Sequence, residues 1–223
     1  MTFSIVGRDP RTGALGMAVT SSSPCVAARC THLRDGVGAV TSQNVTDPTL
    51  GPAILDLLES SLDAQAALDR ALEGYRTASF RQLAVVDASG RIAHFSGEGT
   101  LGTHRVVVGD QVVAAGNLLS SPEVPQAMVD AFTRTEGELE WKLQAGLQAG
   151  DDAGGEMGDV HSCGVAVVHD VGWRVTDVRV DWADGPIQQM GRILEQWMTE
   201  RDAYVTRGLH PDLAPSYGVP GDE

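Results

Sequence analysis

The order of extended and helical segments is the feature that most constrains how this chain folds. Hydrophobic patterns predict strands, two helices, strands, two helices, strands and one final helix along the sequence. This order differs from the strict alternation of single strands and helices that builds a parallel doubly wound sheet. Because short turn sequences connect most of the strands, we expect antiparallel sheets covered by helix pairs. The sequence therefore predicts an α+β fold, a four-layer αββα sandwich of largely antiparallel sheets.

The strands are predicted from short β-rich runs separated by turn residues. Residues 2–7 and 14–20 flank a turn and predict an N-terminal hairpin, followed by a less regular extended piece after Pro24. The small residues of the strand at 36–41 indicate that another layer approaches it closely. Further strands are predicted at residues 81–86, 91–95, 106–108, 112–115, 160–169 and 173–181.

The helices are predicted from apolar residues at helical spacing. The first pair comprises residues 48–59 and a helix that Asp63 caps. The second pair begins at Ser121-Pro122, with Ser as the cap and Pro in the first helical position. The glycine-rich, acidic segment 150–159 is predicted to be a mobile loop.

The end of the chain predicts a terminal helix and a tail. The helix carries an apolar stripe that includes Ile187, Met190 and Leu194, and a proline-rich segment follows it. We expect a single domain over residues 1–206 and a C-terminal tail over residues 207–223.

The charge of the chain excludes two classes of partner. Thirty acidic residues oppose sixteen basic ones, for a formal net charge of −14. Nucleic-acid backbones and anionic membrane surfaces both attract concentrated Lys and Arg, so neither is an expected partner. A content of 42% apolar residues is enough for a buried core. The functional hypotheses given below make a small molecule the expected substrate or ligand.

The location is predicted to be cytoplasmic. Arg8 and Asp9 come before any apolar stretch of signal-peptide length, and no window reaches the roughly 18 apolar residues of a membrane span. The cysteines, Cys25, Cys30 and Cys163, are odd in number, which favours reduced thiols over a disulfide framework.

Thr2 is the first candidate for chemistry because of its position. Removal of Met1 would expose the α-amine of Thr2, whose usual pKa of about 7.7–8.0 suits a general base for its own hydroxyl. The following hairpin and the polar cluster Thr20-Ser21-Ser22-Ser23 resemble the opening of N-terminal-nucleophile (Ntn) hydrolases. Thr is also a common second residue in proteins that are not hydrolases.

A closer resemblance rests on four segments in order, residues 1–6, 36–40, 80–87 and 116–119. They resemble an uncharacterised, largely bacterial family, domain of unknown function 1028, over roughly residues 1 to 200. The resemblance implies the Ntn-hydrolase-like fold, a four-layer αββα sandwich, but it implies no particular reaction.

The Ntn resemblance implies roles for six residues. Thr2 would be the nucleophile, a backbone amide near Ser42 would hold the oxyanion, and Asn117 would assist it or orient substrate or the α-amine. Arg29, Asn44 and His161 are the candidates for substrate binding. Many Ntn hydrolases place a Lys near the nucleophile, whereas the corresponding stretch here offers Arg29, and Arg cannot shuttle a proton. The family's late strand often begins Gln-Ser-Ala, whereas this chain has His161-Ser162-Cys163.

Asp159, His161 and Cys163 alternate at a period of two and would share one face of an extended strand. Such a set could bind zinc or relay protons, but a strand-edge His and a buried Cys are the simpler interpretation. We expect no bound metal and no cofactor.

Two principal hypotheses remain open at this point. The first is an Ntn-type amidohydrolase that cleaves a C–N amide-type bond of a small molecule. The second is a non-catalytic ligand-binding or assembly protein on the same scaffold, which a retained Met1 would favour. A metal-dependent hydrolase that uses His161 and Cys163 is a third hypothesis. For the oligomeric state, the hypothesis is a homodimer.

Overall fold

The computed structural model describes residues 2–221 and contains two antiparallel sheets. The strands of the first sheet are β1 (Thr2–Arg8), β2 (Leu15–Ser21), β7 (Arg105–Gly109), β8 (Val112–Asn117), β9 (Ser162–Val168) and β10 (Arg174–Val180). Those of the second sheet are β3 (Thr31–Arg34), β4 (Gly38–Asn44), β5 (Arg81–Asp87) and β6 (Ile92–Ser96). The helices are α1 (Val26–Cys30), α2 (Leu50–Glu59), α3 (Ala64–Leu72), α4 (Val124–Arg134), α5 (Leu139–Asp152) and α6 (Pro186–Leu209).

Every strand pairs antiparallel with its neighbours, as the turn sequences predict. The first sheet has the order β10-β9-β2-β1-β8-β7, and the second has the order β3-β4-β5-β6. Strand β1 therefore lies in the interior of the larger sheet, between β2 and β8.

The layers follow from which face of each strand is apolar. Phe3 and Ile5 of β1 pack with Met128 of α4 and Leu143 of α5, whereas Val6 faces the second sheet. On the far side, α2 and α3 cover the second sheet. Because successive side chains point to opposite faces of a strand, one strand supplies two cores. The four-layer αββα sandwich of the sequence prediction is confirmed.

The small-residue strand is explained by a close approach. A Cβ on Gly38 would lie 2.7 Å from Leu58 Cδ1 of α2 and 3.0 Å from the Val86 carbonyl oxygen of β5. The side chain of Asp63 caps α3 by accepting a hydrogen bond from the Ala66 amide at 2.9 Å, so that prediction is also confirmed.

Two local predictions are wrong, the extended piece after Pro24 and the start of the second helix pair. The segment after Pro24 folds into the short helix α1 before β3, and α4 begins at Val124 rather than at Pro122. Ser121 instead forms the preceding turn, where its Oγ accepts a hydrogen bond from the Glu123 amide at 3.2 Å. Pro125 is the proline that occupies the first turn of α4.

The predicted loop at 150–159 is wrong in its first three residues, since α5 continues to Asp152. Gly150 is there for packing: a Cβ would lie 2.8 Å from Met128 Cγ and 3.0 Å from Phe3 Cε2. The segment that follows is held by an isolated β-bridge between Leu119 and Glu156.

The last helix, α6, extends to Leu209, beyond the predicted domain end at residue 206. The segment after it folds back on the helix, where Arg207 Nη2 donates to the Pro215 carbonyl at 3.0 Å. The division into domain and tail stays a prediction. Within residues 2–221 there is no helix with both the length and the apolar character needed to span a membrane.

Candidate functional site

Four strand termini meet at one end of the larger sheet. Thr2 begins β1 and lies directly opposite Asn117, the last residue of β8. On its other side, the pairing of Phe3 with Thr20 brings Thr2 next to Ser21, the last residue of β2. Ser21 in turn pairs with Ser162, the first residue of β9. The sheet order therefore gathers residues that are far apart in sequence around the start of β1.

The side chain of Thr2 shares a face with Ser4, because alternate residues of a strand point the same way. Ser4 Oγ donates to Oε1 of Gln43 in the second sheet, at 2.7 Å. Thr2 therefore faces the space between the two sheets, where it is only 5% exposed.

A chain of buried amides connects this space to Asn117. Gln43 Nε2 donates to Gln82 Oε1 at 2.8 Å, and Asn117 Nδ2 donates to the same oxygen at 3.0 Å. All three side chains are fully buried. Neither glutamine is predicted from the sequence as a site residue; the signal that could have found Gln82 is its place on a strand face that otherwise carries Ala84 and Val86.

Backbone carbonyls determine how these amides are oriented. Gln43 Nε2 also donates to the Ala115 carbonyl, and Gln82 Nε2 donates to the Gly116 carbonyl at 3.1 Å. A carbonyl oxygen only accepts, so both nitrogens are assigned and Gln82 Oε1 must be an acceptor. Asn117 therefore turns its nitrogen toward Gln82.

This orientation leaves Asn117 Oδ1 as a buried acceptor with no hydrogen-bond partner among the described residues. Leaving such a group unsatisfied costs about 1–3 kcal/mol. The arrangement suits a ligand or main-chain group that supplies an N–H or O–H donor beside Thr2.

Hydroxyl groups line the opposite side of Thr2. Ser21 Oγ lies 2.8 Å from Ser23 Oγ, which accepts a hydrogen bond from Arg29 Nη2 at 2.6 Å. Arg29 thus reaches the neighbour of Thr2 through two hydroxyls. Because arginine stays protonated, its guanidinium can supply positive charge there but cannot shuttle a proton.

Glu156 is a candidate that the sequence analysis missed. Its Oε2 accepts a hydrogen bond from the Ser22 amide at 3.3 Å, and its Oε1 has no partner within residues 2–221. Burial raises the pKa of this carboxyl to about 7, although the Ser22 hydrogen bonds and the nearby His161 oppose that shift. A carboxyl that titrates near neutrality beside a polar cluster is a mark of many functional sites.

His161 lies at the edge of the same cluster. Its backbone N–H donates to the Ser21 carbonyl at 2.8 Å, and its ring stacks on Trp182 with centroids 4.4 Å apart. Nδ1 lies 3.3 Å from the Ala183 carbonyl oxygen and 3.9 Å from Asp184 Oδ1.

Ser42 and Asn44 direct their side chains to loops. Ser42 Oγ donates to the Asp47 carbonyl at 2.9 Å. Asn44, at a φ of 71°, donates from Nδ2 to the Phe80 carbonyl and accepts from the Leu101 amide. The side chain of β4 that reaches β1 is that of Gln43, which lies between them.

Asp159, His161 and Cys163 do not share a strand face, because β9 begins only at Ser162. Cys163 Sγ lies 3.5 Å from Met190 Sδ in the helix-side core, and burial raises its pKa to about 12. Across residues 2–221, no group of three or more His, Cys, Asp or Glu side chains is arranged to hold a metal ion.

Residues 2–190 match the sequence profile of a family of unknown function, DUF1028. Among curated proteins, none matches the chain. The crystal structure of a DUF1028 protein from Silicibacter pomeroyi has a TM-score of 0.85 and 27% identity, covering 91% of this chain and 89% of that one. Anbu, an ancestral β-subunit from Yersinia bercovieri, has a TM-score of 0.41 and 11% identity, with coverage of 91% and 97%. The family resemblance predicted from four sequence segments is therefore confirmed, and the chain belongs to the DUF1028 family.

Proposed function

We propose that this protein is an N-terminal-nucleophile hydrolase that cleaves an amide-type C–N bond of a small molecule, with Thr2 as the nucleophile. The observation that carries the proposal is the pairing of Thr2 with Asn117, whose buried Oδ1 lacks a partner in the described part of the chain. An acceptor at that place suits an N–H of the Thr2 α-amine, which would hold the amine beside the Thr2 hydroxyl.

The reaction needs no group other than the N-terminal residue for its first proton transfer. Thr2 Oγ1 attacks the carbonyl carbon while its proton passes to the α-amine of Thr2. The C–N bond then breaks as the leaving nitrogen takes that proton, and an ester remains on Thr2. Water hydrolyses the ester, which releases the carboxylic acid and restores the threonine.

The surrounding residues have supporting roles in this proposal. In this proposal Asn117 orients the amine through Oδ1, while Nδ2 donates one of its two hydrogens to Gln82. The backbone amide near Ser42 stays the predicted oxyanion donor. Arg29, which donates a hydrogen bond to Ser23, supplies positive charge near the site. His161 and Asn44 remain predicted substrate contacts.

Exposure of the α-amine requires the removal of Met1, which lies outside the described residues. The observation that favours the alternative, a non-catalytic ligand-binding or assembly protein, is the burial of Thr2 at 5% exposure. A nucleophile needs access to its substrate, so both hypotheses lead to the same experiment.

An electrophilic probe tests the proposal without knowledge of the substrate. The purified protein is incubated with a small β-lactone, which acylates an activated hydroxyl by ring opening, and intact mass and peptide maps are recorded. We expect loss of Met1 and a single adduct on the peptide that begins with Thr2.

Two variants provide the controls. Thr2→Ala should abolish the adduct, whereas Thr2→Ser should retain it, since Ser keeps both the hydroxyl and a small second residue. Quantitative retention of Met1, or an equal adduct on Thr2→Ala, would exclude Thr2 as the nucleophile and support the binding protein.

A further inference from the structure

A cleft of about 390 Å³ opens beside this site, between the segment that follows α5 and the start of α6. Its wall includes Glu156, whose Oε2 accepts a hydrogen bond from the backbone amide of Ser22, just after the end of β2. Ser22 directly follows Ser21, the neighbour of Thr2. The cleft and the proposed nucleophile therefore share one end of the sandwich.

The ionisable side chains in the lining of the cleft are all carboxyl groups. They belong to Asp151, Glu156, Asp159 and Asp184, and the lining contains neither Lys nor Arg. Partners for these carboxylates within residues 2–221 are weak: Gln188 Nε2 lies 3.5 Å from Asp151 Oδ2, and His161 Nδ1 lies 3.9 Å from Asp184 Oδ1.

Glu156 distinguishes this cleft from a solvated acidic surface. The residue is 95% buried, at 5% exposure, and its Oε1 has no hydrogen-bond partner in the described residues. A buried carboxylate oxygen without a partner is costly, and a bound N–H donor with positive charge removes that cost.

The lining favours an organic cation over a metal ion. The described residues present no group of three His, Cys, Asp or Glu ligands for a metal. Asp159 and Asp184 lie at the exposed rim and act on a ligand mainly through their field. Met157, which is 71% exposed, offers an apolar contact for methylene groups in the same lining.

We infer that this cleft binds a primary ammonium group, with Glu156 as its buried anchor. What this binding implies about the substrate rests on the proposed function. The substrate class is then an amide that carries a primary ammonium group at the end of an aliphatic chain. The amide carbonyl lies toward Thr2, and the ammonium group lies in the cleft.

The test separates binding from catalysis by using Thr2→Ala protein. Calorimetric titration compares three matched amides: N-acetyl-1,4-diaminobutane, the neutral N-butylacetamide and the anionic N-acetyl-4-aminobutanoate. We expect the cationic amide to bind at least about tenfold more tightly than the neutral one, and the anionic one to bind least.

Glu156→Gln should remove most of that preference, because an amide keeps the shape of the side chain but not its charge. The double variant Asp159→Asn and Asp184→Asn removes two exposed negative charges at positions where the substitutions do not endanger folding. It should reduce the affinity for the cationic amide a few-fold. Glu195→Gln, on an exposed face of α6 outside the cleft, is the matched control and should bind as the parent does.

Equal affinity for the three amides, no binding of any, or an unchanged preference in Glu156→Gln would overturn the inference. Glu156-dependent binding of the cationic amide in a protein whose wild type does not cleave it would support the cleft and contradict only the hydrolase.

Discussion

Gln43 and Gln82 lie opposite each other in β4 and β5, joined by a 2.8 Å hydrogen bond from Nε2 to Oε1. Each also donates to a carbonyl of β8, at Ala115 and Gly116 respectively. This pair is therefore a polar link between the two sheets. Asn117 is attached to it through Gln82.

Gln82→Leu should destabilise the protein by roughly 3 kcal/mol, because it leaves the Asn117 amide and the Gly116 carbonyl buried without their partner. Urea unfolding followed by circular dichroism measures this change. Gln196→Leu, at an exposed site on α6, should change the free energy of unfolding by less than about 0.5 kcal/mol.

Gln43→Leu combined with Gln82→Leu should cost less than the sum of the single changes, by about 1 kcal/mol or more. The double variant removes a donor and its acceptor together. Strict additivity would show that the two side chains do not act as a unit.

Glu156 should make stability fall as pH rises through the weakly acidic range. Burial raises the pKa of its carboxyl from 4.5 to about 7 in the folded protein. Between these values the folded state keeps a proton that the unfolded state has lost, so stability falls from about pH 4.5 to about pH 7 and then levels. The contribution is on the order of 3 kcal/mol, at about 1.36 kcal/mol for each pH unit.

Unfolding of Glu156→Gln at pH 5 and at pH 7.5 measures this contribution. We expect the variant to gain stability relative to the parent at pH 7.5 and much less at pH 5. Asp159→Asn, at an exposed rim position, is the control, and an identical pH dependence in parent and Glu156→Gln would contradict the prediction.

Two helical glycines should respond to alanine with opposite signs. A Cβ at Gly146 of α5 would lie 2.8 Å from Ile5 Cδ1 and 3.2 Å from the Met128 carbonyl oxygen, so Gly146→Ala should destabilise by about 1–3 kcal/mol. At Gly191 of α6 the nearest atom is Gln144 Nε2 at 3.1 Å, the end of a side chain that can move. Gly191→Ala should therefore stabilise the protein by up to about 1 kcal/mol. Thermal unfolding of both variants checks the signs.

The three thiols should differ in reactivity in the native protein. Cys25 is exposed, whereas Cys30 and Cys163 are buried, and burial raises the pKa of both buried thiols. Iodoacetamide at pH 8 should alkylate Cys25 first, because the thiolate is the reactive form. Peptide mapping before and after unfolding tests this order, and rapid native alkylation of Cys163 would contradict its place in the core.

Local patterns predicted most of the secondary structure. The β-rich run that forms β1 and the cap at Asp63 are properties of a few neighbouring residues, and both are seen in the structure. The segment at 150–152 was misjudged because glycine permits both mobility and close packing, and only the contact of Gly150 with Met128 distinguishes the two.

The candidate site was predicted only where position along the chain carries meaning. Thr2 and Asn117 could be singled out because each stands at the end of a predicted strand, and their direct pairing is a result of the sheet order. Glu156 could not, since its contact with Ser22 joins residues 134 positions apart.

The sequence alone determined most of the strands and helices, the apolar stripes of the helices, and the family to which the chain belongs. The tertiary structure decided that β1 lies between β2 and β8, and that Gln43, Gln82 and Asn117 share one buried network. Whether a segment forms a strand or a helix depends mainly on interactions among a few neighbouring residues. The order of the strands depends instead on the total apolar surface that whole sheets and helices bury together. For that reason the polar groups at the end of β1 come together only in the folded chain.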